Sequence, residues 1–173
     1  MAAEEYSGCA PRRRPRGERG ANASWLTGGC AKQTPMKPSE ATTQGIRVVV
    51  KPQYLANESR PVDNTYVFAY EVTIANVGDR LAKLLSRHWI ITTDMLLLAV
   101  PVRDDPLAHV RGPGVVGEHP DLGPGEAFRY RSYCPLSTPE GAMRGSYRMV
   151  RPDGSEFDAE VAEFAFSAPR VLN

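Results

Sequence analysis

A chain of 173 residues with 42% hydrophobic content can bury one proper core, so one domain is expected. Its formal net charge of +1 excludes a global attraction to nucleic acid or anionic lipid, and no apolar run approaches the roughly 18 residues that span a bilayer. Cys9, Cys30 and Cys134 are too few, and odd in number, for a disulfide framework; with no apolar leader at the N-terminus they predict a cytoplasmic protein.

Residues 1–35 carry six Lys/Arg against three Glu, whereas the remainder carries fifteen against seventeen acidic residues. The excess is concentrated in Arg12-Arg13-Arg14-Pro15-Arg16, within a stretch almost free of large aliphatic residues. Residues 1–44 are therefore expected to be a disordered basic extension, and any contact with nucleic acid would belong to it. Met36-Lys37-Pro38 offers an alternative start to the chain. A folded domain is expected over residues 45–173.

From Gly45 the pattern has period two. Ile46, Val48 and Val50 alternate with more polar positions, and Tyr66, Phe68, Tyr70, Val72 and Ile74 share one face of the clearest strand. Residues 81–92 are apolar on both faces, as a central strand can be. Within them Arg87 and Trp89 face one way and His88 the other. Later strands point Phe128 and Tyr130, then Met143, Tyr147 and Met149, inward. The last shifts from odd (Phe157, Ala159, Val161) to even (Phe164, Phe166) inward positions, which predicts a bulge near Ala162. The predicted fold is all-β: an immunoglobulin- or fibronectin type III-like antiparallel sandwich of about seven strands.

Gly112-Pro113-Gly114-Val115-Val116-Gly117 has the Gly-x-Gly-x-x-Gly spacing that cradles a pyrophosphate when it joins a strand to a helix. Pro113, Pro120, Gly123, Pro124 and Gly125 exclude that helix and with it a dinucleotide-binding unit. Two readings stay open: a connection between strands that needs positive φ, and an anion-binding loop on a β scaffold. Glu118 and His119, with His109 and Asp121 near in sequence, are candidate metal ligands but match no zinc signature. No nucleophile–base pair stands out, and no catalytic residue is assigned.

Residues 46–173 resemble the ApaG family in an ordered set of motifs: Tyr70 through Asn76 (YEVTIAN), Leu85 through Thr92 (LSRHWIIT), Gly112 through Glu118, Leu122 through Phe128 (LGPGEAF), Thr138 through Met143, Gly145-Ser146-Tyr147 and Pro169 through Asn173. The resemblance implies a fibronectin type III-like sandwich and no firm catalytic activity. It implies a link to cobalt and magnesium resistance, or a protein-interaction role such as related domains have in an F-box protein and a polymerase-interacting protein. It also implies a pyrophosphate site on the glycine motif, which here would comprise Gly112, Gly114, Val115, Val116 and Gly117. Arg111, Arg87 and Arg129 are candidate phosphate contacts, and Mg²⁺ is a cofactor that would arrive with the phosphate. Three functions follow: a phosphate- or nucleotide-binding module, a protein-interaction domain presenting a sheet face or edge, and a nucleotide-polyphosphate hydrolase. The chain departs from the family pattern in its N-terminal extension and in an apparent insertion around Met95–Pro106.

Overall fold

The computed structural model describes residues 33–93 and 107–169. Ten strands run in chain order: β1 (Gln33–Pro35), β2 (Ser39–Thr43), β3 (Ile46–Leu55), β4 (Tyr66–Asn76), β5 (Ala82–Thr93), β6 (Leu107–Pro113), β7 (Asp121–Leu122), β8 (Ala127–Leu136), β9 (Glu140–Val150) and β10 (Glu156–Ser167). One sheet has the order β1–β3–β4–β8, with β2 on the first half of β3; the other has the order β10–β9–β5–β6, with β7 on the start of β5. All pairings are antiparallel. The molecule is the all-β sandwich that the period-two pattern predicts.

The strands beyond the expected seven are short or hidden. β2, Ser39-Glu40-Ala41-Thr42-Thr43, has no large apolar residue and is defined by its ladder to β3. The expected domain boundary at residue 45 thus falls inside the β2–β3 hairpin, whose turn residues Gln44 and Gly45 both have positive φ. The expected disorder of the extension concerns residues that, up to 32, lie outside the described ones. The insertion also lies outside them, but its flanks are paired, Thr92 with Leu107 through Ser86 with Pro113. The glycine stretch therefore enters from a strand in register with β5.

The inward faces meet as the alternation predicts. Phe68, Tyr70, Val72 and Ile74 from one sheet bury against Trp89, Met143, Tyr147, Phe164 and Phe166 from the other. Trp89 sets its indole edge-on to Tyr70, Tyr147 and Phe164, with ring centroids 5.7, 5.8 and 6.1 Å away. The expected bulge near Ala162 is present, between Val161 and Phe164. A second bulge, between Leu84 and Ser86, switches β5 from even to odd inward positions and accounts for its blurred alternation.

One end of the sandwich is closed by Arg151, 8% exposed. Its Nη1 donates to the carbonyls of Arg80 (2.8 Å) and Leu81, its Nη2 to that of Gln44, and its guanidinium lies 4.8 Å from the Phe157 ring centroid. Beside it the buried Asn76 Nδ2 donates to Arg80 O and Leu122 O. One planar fork thus satisfies three carbonyls from two turns. Arg151→Met is expected to cost about 2–4 kcal/mol in urea denaturation because those carbonyls lose their partner. Arg151→Lys, a point charge in place of a fork, should recover less than half of that.

Candidate functional site

The glycine stretch is a structured turn. Gly112 lies opposite Arg87 in the β5–β6 ladder. A Cβ on Gly112 would sit 3.3 Å from the guanidinium carbon of Arg87, and the Arg87 Nη1 donates to Gly114 O at 3.0 Å. Gly114 has φ +55°, and a Cβ there would fall 2.2 Å from Glu118 O. Val115, fully buried, plugs the loop into the core. Its N–H donates to Glu118 O (2.8 Å) and Glu118 N–H to Val115 O (2.9 Å), closing a two-residue turn with φ 50° at Val116 and 76° at Gly117. Positive φ at both central residues marks the type I′ geometry of tight hairpins.

The backbone donors are largely spent within this turn. Gly114 N–H donates to Leu85 O at 2.9 Å, those of Val115 and Glu118 close the turn, and Pro113 has none. The N–H groups of Val116 and Gly117 remain, at the tip. The loop does not present a converging row of donors.

Arg87 faces inward with Trp89, and His88 outward, as the alternation predicts. The half-buried Arg87 lies across from Tyr147, whose hydroxyl is hydrogen-bonded to that of Tyr130. Burial pushes both hydroxyls above the ordinary tyrosine value, and the Arg87 charge acts in the opposite direction. Burial likewise pushes the Cys134 thiol up to about 12, which leaves it a poor nucleophile.

The opposite face of the same strands carries a different chemistry. Residues directly opposed in a ladder share a face, so Arg111, His88, Ser146 and Glu160 form one row across β6, β5, β9 and β10. Ser86, Arg148 and Asp158 form the next. All of these but Glu160, together with Arg87 and Gly112, line a shallow depression of ≈ 530 Å³. Arg148 is held by Asp158 (2.9 Å) and Glu156 (3.5 Å), whereas exposed Arg111 makes no ion pair among the described residues. His88 Nε2 lies 3.1 Å from His109 Nδ1. His88 is held below the ordinary imidazole value, first by burial, then by Arg111 and His109, with Asp158 opposing.

Of the candidates read from the sequence, the structure brings Arg87, Arg111, Gly112, Gly114, Val115, Val116 and Gly117 to one end of β5 and β6. It does not bring Arg129 there: that side chain is exposed on β8 of the other sheet, opposite Thr73. Glu118 closes the turn through its backbone, and His119 directs Nδ1 at Leu84 O, 3.2 Å away, so this nitrogen carries the proton. No group of three or more His, Cys, Asp or Glu converges as a metal site among the described residues. Ser86, Ser146 and the His88–His109 pairing were missed by sequence reasoning. The period-two spacing of His109 and Arg111 was the available signal, obscured by the insertion before it.

The ApaG domain matches residues 56–151. Protein ApaG of Thiobacillus denitrificans is 47% identical over 135 residues, covering 78% of this chain and 99% of its own. Protein ApaG of Bordetella pertussis is 43% identical over 142 residues, 82% of this chain and 98% of its own. The chain belongs to the ApaG family. A crystal structure described as an ApaA protein from Bordetella pertussis shares the fold with a TM-score of 0.65 at 44% identity, covering 73% of this chain and 95% of that one. An X-ray structure of a structural-genomics target gives 0.62 at 41%, covering 74% and 90%.

The motif that runs through Gly112–Glu118 in this ApaG chain has a direct thermodynamic test. Gly114→Ala is expected to lose about 2–4 kcal/mol, because its Cβ collides with a backbone oxygen in a left-handed conformation. Val116→Asn, at a β-branched residue held at positive φ, is expected to gain roughly 1 kcal/mol. Urea melts of both variants check the pair; a neutral Gly114→Ala would show that the loop is not held in this turn.

Proposed function

We propose that this protein is a binding module for phosphate-bearing ligands, without catalysis of its own. Its site is the depression on the outer face of β5, β6 and β9 rather than the backbone of the glycine turn. The observation that carries this reading is Arg111: an exposed guanidinium without an ion-pair partner among the described residues, beside two serines and an imidazole. An arginine fork matches two oxygens of a phosphate, and Ser86 and Ser146 supply hydroxyl donors from neighbouring strands. The glycine turn supports the site from behind. Gly112 leaves room for the Arg87 guanidinium, which grips Gly114 O and holds β6 in place. Mg²⁺ would arrive with the ligand, since it usually binds through phosphate oxygens and few protein groups. That is how a link to divalent-cation homeostasis would reach this fold.

A second reading, docking of a protein partner, is favoured by Val116. This β-branched residue, 59% exposed, is held at φ 50° at the tip of a turn anchored by Val115. Strain at an exposed apolar tip points to a presented contact.

Amide NMR titration of the full chain with pyrophosphate, with and without Mg²⁺, separates the two. Saturable shifts at Ser86, His88, Arg111, Gly112 and Ser146, weakened at least roughly tenfold in Arg111→Ala, are expected from the loss of a charge-assisted fork. A well-dispersed spectrum that does not move at millimolar pyrophosphate would overturn the phosphate reading and leave the partner reading in place.

A further inference from the structure

We propose that the depression takes a doubly charged oxyanion together with one proton, which the hydrogen-bonded pair His88–His109 accepts as the ligand seats. The inference rests on the phosphate-binding reading above and adds to it the charge state of the ligand and a regulation of its affinity.

The two histidines are diagonal neighbours on one face of β5 and β6: His88 is opposed to Arg111, and His109 to Ile90. With Nε2 and Nδ1 3.1 Å apart, one ring must donate and the other accept. The ring centroids are 5.3 Å apart with planes 22° from parallel. That separation is long for face-to-face overlap and suits two rings joined end to end through one N–H···N bridge. A neutral pair so joined has one free lone pair, on the outer nitrogen of the donating ring. A proton taken from water adds there, turns that ring into an imidazolium and leaves the bridge intact. A second proton would destroy the bridge and place two like charges side by side, so the pair titrates as a unit over its first proton.

The groups around the pair set its resting state. Arg111 stands directly across on β6; Arg144 and Arg148 flank Ser146 on β9; Asp158 and Glu160 project from β10, with Glu163 beyond. Arg148 is already engaged by Asp158 and Glu156, whereas Arg111 and Arg144 have no ion pair among the described residues, and of the two Arg111 is the one directly opposed to His88. After burial, Arg111 is the next influence that disfavours a proton on His88. An oxyanion seated between Arg111 and His88 removes that penalty and adds an attraction, so the bound state holds the proton more tightly than the free state. By linkage the reverse holds: a protonated pair binds the oxyanion more tightly, and affinity rises as pH falls through the titration range of the pair.

Sulfate is the suitable probe, because its charge does not change near neutral pH as that of phosphate does. Sulfate binding to the full chain would be measured calorimetrically at constant ionic strength at pH 7.5 and 5.5, and the imidazole titrations followed by NMR with and without sulfate. The expected result is roughly tenfold tighter binding at the lower pH, with one imidazole titration moved upward by sulfate. In the double variant His88→Asn, His109→Asn the pH dependence should be lost; in Arg111→Ala binding should fall at both pH values. Binding equal at both pH values, or a pH dependence that survives the double variant in a folded protein, would overturn the proton coupling and leave the anion site standing. No saturable sulfate binding at either pH would overturn the anion site and the coupling with it.

Discussion

The guanidinium of Arg87 lies against the backbone of Gly112, and the geometry of the candidate site follows from that contact. Strand alternation puts Arg87 and Trp89 on the inner face of β5, so His88 is forced to the outer one. Arg87 then holds Gly114 O from within, which fixes the end of β6. With β6 in register, Arg111 stands opposite His88 and must face outward beside it. A side chain at position 112 would press on the guanidinium and require it to shift. The first glycine of the motif thus serves an arginine, and the second serves the Glu118 carbonyl.

The fold was legible because strand burial repeats every second residue. Phe157, Ala159 and Val161 followed by Phe164 and Phe166 marked both a strand and its bulge. The bulge in β5 escaped notice because Leu84, Leu85, Ile90 and Ile91 make both faces apolar, so a change of parity leaves no trace in hydropathy. β2 escaped because Ser39–Thr43 is stabilised by its ladder with β3 and not by large apolar side chains of its own. The site was legible residue by residue but not as an arrangement. The glycines identify a turn, yet whether their N–H groups point at a ligand or at Leu85 and Glu118 is decided by the partner strand. The nearness of His109 to His88 depends on a cross-strand register that a sequence separation of 21 conceals.

The turn itself balances two opposing terms of similar size. Burying Val115 completely contributes about 1.5–3 kcal/mol relative to leaving it exposed. Holding Val116 in the left-handed region costs on the order of 1–3 kcal/mol. The loop therefore keeps its shape because Val115 is anchored, and Asn or Gly at 116 would suit the backbone better. A residue that local preference disfavours, placed where the core does not require it, is the kind of exception that functional surfaces retain.

A site built from side chains on an open sheet face differs in kind from a backbone cradle. The donors of a cradle are fixed and uncharged, whereas Arg111 is exposed and its attraction is screened by salt. Affinity on such a face depends on how many charges converge and on which charges are already neutralised nearby. Here the acidic residues of β10 occupy Arg148, whereas Arg111 has no ion pair among the described residues. The histidine pair lies beside Arg111, where one added proton has most influence on a bound oxyanion. The ligand would therefore be read by its charge more than by its shape. A terminal phosphate, carrying up to two charges on oxygens that an arginine fork can reach, is favoured over an internal phosphodiester that carries one.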